Sequence, residues 1–389
     1  MKPVPTKKTH VIGAAIFAAA MALPFSSSAF AEAAPEKGIV AFKYLNYKDS
    51  QPGFDRMDIN AYTVSAMAPI AGKWSISTSY TYDSVSGASP SYHSFVEPDM
   101  VSGASKIRER RNAVDLNVTR YLPKGSLTAG TSYSQENDYI SRGYSFQGSL
   151  ATEDKNTTFT LGGSYTSDSI FPSIDDTAFF EKRVVAGFFG ITKVLTKRDI
   201  VQLNVGYSNG NGYFSDPYKL YDRRPEKRQS KTVMTRWNHH FDGIDGTSHL
   251  SYRYYTDTFG IRAHTFDLEY VQPVVNDWTI IPSVRYYSQT AADFYLPVDP
   301  AVPTGVSPEA SVRLYDPLLP PVTLDQRLSA FGAVTLGIKV EKRIAKDWLV
   351  DAKFESYEQR PGWSITGGGD SGLKPFRAKF IQFGISRDF

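Results

Sequence analysis

Apolar and polar side chains alternate along most of this chain, in segments of about ten residues. Val201, Leu203, Val205 and Tyr207 share one parity, and the residues between them are polar or small. A period of two is typical of a β-strand with one apolar and one polar face. The same pattern recurs in Trp74–Tyr80, Val114–Val118, Phe159–Tyr165, Val334–Val340 and Trp348–Phe354. No stretch after residue 31 approaches the ~20 apolar residues of a membrane helix, so a helical membrane protein is excluded.

Turn residues separate about sixteen such segments, and their connections are of two lengths. A soluble β-sandwich also alternates, because one face of each sheet is buried, but it does not sort its connections in this way. We therefore predict an all-β fold, a transmembrane antiparallel β-barrel of about 16 strands, with short periplasmic turns, long external loops and both termini in the periplasm. The predicted short turns include Ala71–Lys73, Pro123–Gly125, Glu153–Lys155, Lys197–Arg198, Asn276–Asp277 and Ala345–Asp347, and the long loops are 85–107, 168–182, 209–229, 296–327 and 361–377. Which residues of 56–70 and 184–195 face inward stays unassigned. In the first segment both alternating sets contain apolar and polar side chains, and in the second both sets are apolar.

The first 31 residues have the three parts of a secretory signal. Lys2, Lys7 and Lys8 precede an apolar run from Val11 to Pro24, and Ala29-Phe30-Ala31 follows as a cleavage pattern. We expect residues 1–31 to be removed after export through the Sec pathway and residues 32–389 to form the barrel in the outer membrane.

Composition narrows the possible functions. The signal holds three of the 43 basic residues and none of the 40 acidic residues, so the mature chain has no net charge, which argues against a nucleic-acid partner. The chain has no cysteine, so disulfides and thiolate metal sites are excluded, and no cofactor is predicted. The 24 Tyr and 24 Phe fit the aromatic girdles of a membrane barrel, and Trp74, Trp278 and Trp348 directly follow short turns at the predicted periplasmic interface.

Two segments suggest partners in the envelope. The chain ends in an alternating strand from Phe380 to Phe389, which resembles the last-strand signal read by the outer-membrane assembly machinery. Residues 219–231 carry Lys219, Arg223, Arg224, Lys227, Arg228 and Lys231, which could bind the phosphates of lipopolysaccharide in the outer-membrane lipid. An ordinary solvated loop is the alternative.

Several motifs resemble a family of outer-membrane barrel proteins classed as domain of unknown function 3570. The resemblance implies a barrel whose external rim carries a shared polar constellation. Genes of that family often lie beside those of flavin-transferase-like and thioredoxin-like proteins, which implies envelope redox or metal handling and a periplasmic protein partner. The matching pieces are Tyr82–Pro90, Ser215–Lys219, Tyr252–Tyr255 with Asp257, Gly260–Ile261, His264–Thr265, Arg285–Gln289 and Ala291–Tyr295.

These rim motifs supply one set of candidate site residues. Their oxygen atoms could hold a cation such as calcium, but the spacing matches no calcium-binding loop, and such residues also form turns for local reasons. We predict no metal site. The rim residues are Asp83, Asp216, Tyr218, Asp257, His264, Gln289 and Asp293.

The second candidate set lies on four strands between residues 230 and 290. Parity places charged side chains inside the barrel, where rings of charge set the selectivity of a pore. The alternative is that opposite charges pair there only to support the structure, as expected for Lys339, Glu341, Asp351, Lys353 and Glu355 on the last hairpin. The predicted selectivity residues are Arg236, Arg253, Asp267, Glu269 and Arg285.

His240, His249 and Ser251 on neighbouring strands raise a third idea, an outer-membrane hydrolase. A nucleophile needs a base within hydrogen-bond reach and a group that orients the base, and no nucleophile motif accompanies these residues. We therefore predict no enzyme and no catalytic residues.

The long loop 296–326 is stiffened by seven prolines and carries apolar residues between them. Such a loop resists a random-coil state, so it could fold over or into the lumen, or remain outside and contact lipopolysaccharide. The leading prediction is a porin-like channel for a small hydrophilic solute or ion. The alternative is a sealed barrel that serves as a surface scaffold or as the membrane part of an envelope redox or metal-handling complex.

Overall fold

The computed structural model describes residues 34–87, 107–175, 177–218, 222–297, 320–365 and 368–389. The predicted signal, most of the loop 85–107, Lys219 and the centre of the loop 296–326 lie outside the described residues. The strands are β1 (Ile39–Gln51), β2 (Phe54–Ile70), β3 (Trp74–Gly87), β4 (Ile107–Leu122), β5 (Gly125–Gln135), β6 (Tyr139–Ala151), β7 (Thr157–Ile170), β8 (Phe180–Val194), β9 (Asp199–Gly212), β10 (Lys227–Phe241), β11 (Gly246–Asp257), β12 (Arg262–Val274), β13 (Trp278–Gln289), β14 (Phe331–Ala345), β15 (Trp348–Arg360) and β16 (Phe376–Asp388).

All sixteen strands pair with their sequence neighbours in antiparallel register, and β1 pairs with β16 to close the barrel. The predicted fold class and strand number are confirmed. Closure leaves no strand edge with unpaired backbone N–H and C=O groups, as a membrane-spanning β-structure requires. Within the described residues, no helix is long and apolar enough to cross a membrane.

The barrel has two different ends. Every connection at one end, which we call the turn end, is short, and β1 begins and β16 ends there. The opposite end, which we call the loop end, carries the long connections. Three loop-end connections are nevertheless short, at 52–53, 136–138 and 258–261, so the predicted strict alternation of lengths is wrong at these places. Local turn chemistry explains two of them: Gly53 has φ +98°, and the Asp257 carboxylate accepts hydrogen bonds from the backbone N–H of Phe259 (3.0 Å) and Ile261 (3.1 Å).

The outer wall is apolar, as a lipid-facing surface must be. Leu161, Tyr144 and Val185 are more than half exposed. At the turn end, Trp74, Trp278 and Trp348 open β3, β13 and β15 and lie on this outer face. Each indole has a cation from the neighbouring strand over its ring, at 4.7, 5.1 and 5.3 Å from Arg120, Lys342 and Arg387. Such pairs stabilise an aromatic ring at an interface between apolar and aqueous surroundings.

The structure assigns the two strands whose facing was ambiguous. On β2, Met57, Ile59 and Ala61 point inward and are buried against Leu45 and Phe376. On β8, Phe188 points inward and would meet any Cβ at Gly162. Parity failed here because the inner face of these strands contains apolar side chains, so both faces have the same character in the sequence.

Candidate pore

Inward-facing charges concentrate on β10 to β15, and we call this surface the charged wall. Directly opposite residues in an antiparallel pair share a face, so the register extends the assignment from strand to strand. Ser251 lies opposite both Arg236 and Asp267, and Asp267 lies opposite Arg285. The charged wall comprises Arg236, Arg253, Asp267, Glu269, Arg285, Lys339, Glu341, Asp351, Lys353 and Glu355.

Some of these charges are paired within the wall. Arg285 Nε lies 2.5 Å from Asp267 Oδ1. Lys339 pairs with Glu341 at 2.5 Å and Lys353 with Glu355 at 2.9 Å.

The other selectivity residues have weaker partners or none of opposite charge. Arg253 Nη2 donates to Thr265 Oγ1 at 3.4 Å. In the described part of the chain, Arg236, Arg253 and Glu269 form no ion pair. Of the five residues predicted as a filter, Asp267 and Arg285 are bonded to each other, and the other three have no partner of opposite charge in the described part of the chain.

A cavity of about 220 Å³ opens on the charged wall. Arg236, His249, Glu269 and Arg285 are among its lining residues. Cationic and anionic groups thus face the same space.

The lumen surface on β4 to β9 has a different character, and we call it the small-residue wall. A second cavity of about 470 Å³ lies against it. Two glycines on this wall leave room for neighbouring asparagine side chains. A Cβ at Gly130 would approach Asn117 Oδ1 to 2.3 Å, and a Cβ at Gly190 would approach Asn204 Oδ1 to 2.4 Å. The wall is lined by Asn117, Thr128, Gly130, Ser145, Gln147, Ser164, Ala186, Gly206 and Ser208.

Above both walls, the described loops contact one another, and we call this assembly the loop layer. Its centre is Asp325, which is 1% exposed. Asp325 accepts from Arg224 Nη2 at 2.7 Å and from Arg327 Nε at 2.7 Å, and Arg327 also reaches Asp216 Oδ2 at 2.7 Å. Burial lowers the pKa of Arg327, but the carboxylates of Asp325 and Asp216 outweigh it and raise this pKa above its ordinary value. Arg327 is therefore charged at any physiological pH.

Tyr218 extends the loop layer toward β5 to β8. Its hydroxyl donates to the buried Asp138 carboxylate and accepts from the backbone N–H of Ser173 at 2.9 Å. Burial and the bond to Asp138 raise the pKa of Tyr218. Three connections are joined through this one side chain.

An apolar cluster supports the loop layer from the β11–β14 side. Phe259 and Phe294 meet edge to face at 5.0 Å, and Phe214 meets Phe259 at 5.9 Å. Leu328 packs in the same cluster, and Tyr295 joins it to the last loop through a 2.6 Å bond to Asp370.

The part of loop 296–326 that the structure describes belongs to the loop layer. Val322 and Thr323 are fully buried. Val322 exchanges backbone hydrogen bonds with Arg223 at 2.8 Å. Both arms of the loop therefore dock at the loop end.

The predicted rim residues lie around the loop end but do not converge on one centre. Asp83 pairs with Arg111 at 2.7 Å. Asp257 accepts from Arg228 Nη2 at 2.6 Å. Gln289 donates to the carbonyls of Arg327 (3.1 Å) and Ser329 (2.7 Å) and so holds the loop layer to β13.

The remaining rim residues are more peripheral. Asp293 is exposed beside Gly260, where a Cβ would come within 2.1 Å of its carboxylate. His264 lies on the outer wall between Tyr252 and Tyr254. The described residues contain no group of three or more His, Cys, Asp or Glu side chains placed to hold a metal ion.

The three residues of the hydrolase idea have separate partners. His240 Nδ1 lies 3.2 Å from Thr247 Oγ1, and His249 Nδ1 lies 2.8 Å from Asn238 Oδ1. Ser251 lines the cavity of the charged wall, and no described hydrogen bond joins it to either histidine. This geometry does not form a nucleophile and base pair.

Sequence reasoning missed the core of the loop layer. Asp325 binds Arg224, and Arg327 binds Asp216, although the partners are about one hundred residues apart in the sequence. No local sequence pattern predicts such a contact. Arg224 and Arg228, expected to face lipopolysaccharide, are instead held by Asp325 and Asp257, because buried carboxylates attract the nearest guanidinium.

The closed antiparallel sheet, the apolar outer wall and the polar lumen define a membrane-spanning β-barrel of the outer-membrane type. A family described as "Protein of unknown function (DUF3570)" matches residues 13–180 and 171–380. The chain belongs to this family, as the motifs indicated.

Comparison with curated proteins finds no match. Among solved structures, a bacterial polysaccharide outer membrane secretin aligns with 90% of this chain and 98% of its own, at 9% identity and a TM-score of 0.49. The siderophore receptor PirA from Pseudomonas aeruginosa aligns with 88% of this chain and 61% of its own, at 8% identity and a TM-score of 0.47. OccK2 (OpdF) of Pseudomonas aeruginosa, in complex with glucuronate, aligns with 91% of this chain and 96% of its own, at 9% identity and a TM-score of 0.44.

Proposed function

We propose that the protein is an outer-membrane channel for small hydrophilic solutes or ions, with the charged wall as its filter. The observation that carries this proposal is the contrast inside the lumen: a patch of charge on β10 to β15 faces a wall of mostly small, uncharged residues on β4 to β9. At sixteen strands a barrel is wide enough for an aqueous path unless loops fill it.

The loop layer determines access in this proposal. Its buried Asp325 and Asp216 bind Arg224 and Arg327 and so join loops from several sides of the barrel. Removing one of these arginines would leave a buried carboxylate without its partner, so the ion pairs favour this arrangement of the loops. Solutes would pass beside it, or after it moves.

Replacement of both Arg253 and Arg285 by Glu tests the filter. Charge reversal on the wall should raise the permeability of cations relative to anions several-fold, because the charges that line a pore set its selectivity. The measurement is the reversal potential of the refolded protein in a planar bilayer under a KCl gradient. The Arg253→Lys and Arg285→Lys double variant keeps the charge and should leave the reversal potential nearly unchanged. Equal potentials for the wild type and the Glu variant would remove the filter from the proposal.

A sealed barrel that acts as a scaffold or as part of an envelope redox or metal-handling complex is the second candidate. One observation favours it: the inner face of β1 and β2 is packed, with Leu45 at 2%, Ile59 at 3% and Ala61 at 0% exposure. A soluble partner that copurifies and binds the turn end would support this candidate.

A further inference from the structure

The outer wall carries a band of basic side chains just beyond its aromatic residues, at the loop end. On β10, β11 and β12, Lys231, Thr256 and Arg262 lie directly opposite one another and face outward. The next outward row toward the turn end is Val233, Tyr254 and His264, which belongs to the apolar belt.

Lys231 and Arg262 are exposed and form no ion pair in the part of the chain that the structure describes. Lys231 on β10 and Arg262 on β12 are two strands apart. Because adjacent strands are about 4.8 Å apart, the Cα atoms of these two residues are separated by roughly 10 Å. Both side chains are long enough to approach one anion between them, and the Thr256 hydroxyl lies on the strand between.

A second basic group lies on β1 and β16. Lys48 and Lys379 are directly opposite in register on the outer face, and Ser356 on β15 is opposite Lys379. Like charges in this position destabilise a sheet. Asp58 lies 3.1 Å from Lys48, and Lys379 has no ion pair among the described residues. An external anion would remove the remaining repulsion.

The nearby acidic group on β15 does not compensate these lysines. Glu358 is held by Arg360 at 2.6 Å and by Arg377 at 3.3 Å. Below Lys379, Ile381 and Phe383 are 40% and 54% exposed on the same face. A ligand at this position would therefore contact the positive charge of Lys379 beside an apolar surface that can pack against acyl chains.

We propose that these two groups, Lys231 with Arg262 and Lys48 with Lys379, are docking sites for the phosphate groups of a phosphorylated glycolipid in the membrane leaflet at the loop end. The commitment to a lipid rests on continuity with the apolar belt. Free phosphate would gain nothing from the adjacent Ile381 and Phe383.

Native mass spectrometry of the full chain in detergent tests the proposal. The probe is bisphosphorylated lipid A, compared with lipid A from which the phosphates have been removed. The wild type should retain up to two phosphorylated molecules and lose them when the phosphates are absent. Equal retention of both lipids would overturn the proposal without any variant.

The variants Lys231→Gln with Arg262→Gln, and Lys48→Gln with Lys379→Gln, test the two sites separately. Each basic residue near an anionic surface contributes about a five-fold change in affinity, so each pair should lower apparent affinity roughly twenty-fold and remove one bound lipid. Lys73→Gln with Lys346→Gln at the turn end is the matched control. Heat-modifiable mobility in gel electrophoresis verifies that each barrel is folded. An unchanged affinity in both site variants, or an equal loss in the control, would contradict the assignment.

Discussion

The charged wall and the small-residue wall are built by the same alternating strands, yet their lumens differ in chemistry. On β10 to β15 many inward positions hold long ionic side chains, and some of these pair with one another, as in Arg285 with Asp267. On β4 to β9 the equivalent positions mostly hold Ser, Thr, Gly, Ala, Asn and Gln, with hydroxyl pairs such as Thr119 with Thr128 at 2.9 Å. Phe188 and Asp115 are exceptions that also face the lumen. Alternation determines which residues face the lumen, and composition then divides the lumen into a side rich in charged side chains and a side of mostly small ones.

Filling the small-residue wall with charge should have the largest effect. Ser145→Arg with Ala186→Arg places two cations where a cavity of about 470 Å³ now lies. We expect single-channel conductance to fall by at least about half and selectivity to shift toward anions, because volume is lost and positive charge is gained. Ser145→Gln with Ala186→Gln is the matched control for volume: it should lower conductance without shifting selectivity. A conductance unaffected by either variant would mean that this side of the lumen is not part of the path.

A titratable group at the loop end of the small-residue wall should have an intermediate effect. Burial raises the pKa of Glu136 to about 7, although Arg111 lowers it. Because this pKa is above the unfolded value, the folded state holds a proton that the unfolded state releases, and stability falls as pH rises from about 4.5 to 7.

Glu136→Gln should therefore raise the free energy of unfolding above pH 7, by an amount on the order of 1–3 kcal/mol. The loop layer of this variant should also resist limited proteolysis equally at pH 6 and pH 8. The measurements are urea unfolding and protease digestion at several pH values. If the wild type and the variant show the same pH dependence, another group is responsible.

The smallest effect is expected where charges on the charged wall cancel. Lys339 and Glu341 are bonded at 2.5 Å, so Lys339→Gln with Glu341→Gln removes no net charge. The reversal potential should stay within experimental error of the wild type, in contrast to the Arg253 and Arg285 variant. A clear shift would show that this pair, and not only the residues nearer the loop end, acts on permeating ions.

Most of the barrel could be predicted from sequence because strand faces obey a local rule. Val201 to Tyr207 lies on the outer wall as its parity indicates, and turns such as 71–73 occur where turn residues cluster. The rule fails where the inner face is itself apolar, as at Met57 and Ile59, because burial inside the barrel then resembles contact with lipid in the sequence.

The candidate site could be predicted from sequence only where its residues lie on strands, because the alternation rule applies to strands and not to loops. Arg236 and Asp267 share a face as expected, since cross-strand neighbours follow from register. The bonds of Asp325 to Arg224 and Arg327 depend on loops that meet above the barrel, so they follow from packing and not from periodicity. His264, named as a rim residue, lies on β12 with the parity of Phe266 and Leu268, so its position on the outer wall follows from the same local rule.

The central claim is that an aqueous path runs past the charged wall beneath the loop layer. The most direct test is single-channel conductance of the refolded protein without residues 1–31 in a planar bilayer, with and without residues 296–326. The account predicts a conductance that is small or intermittent in the intact chain and larger and steady after deletion, because the deletion removes Asp325 and opens the layer. Silence in both proteins, with folding verified, would contradict a channel and favour the sealed scaffold.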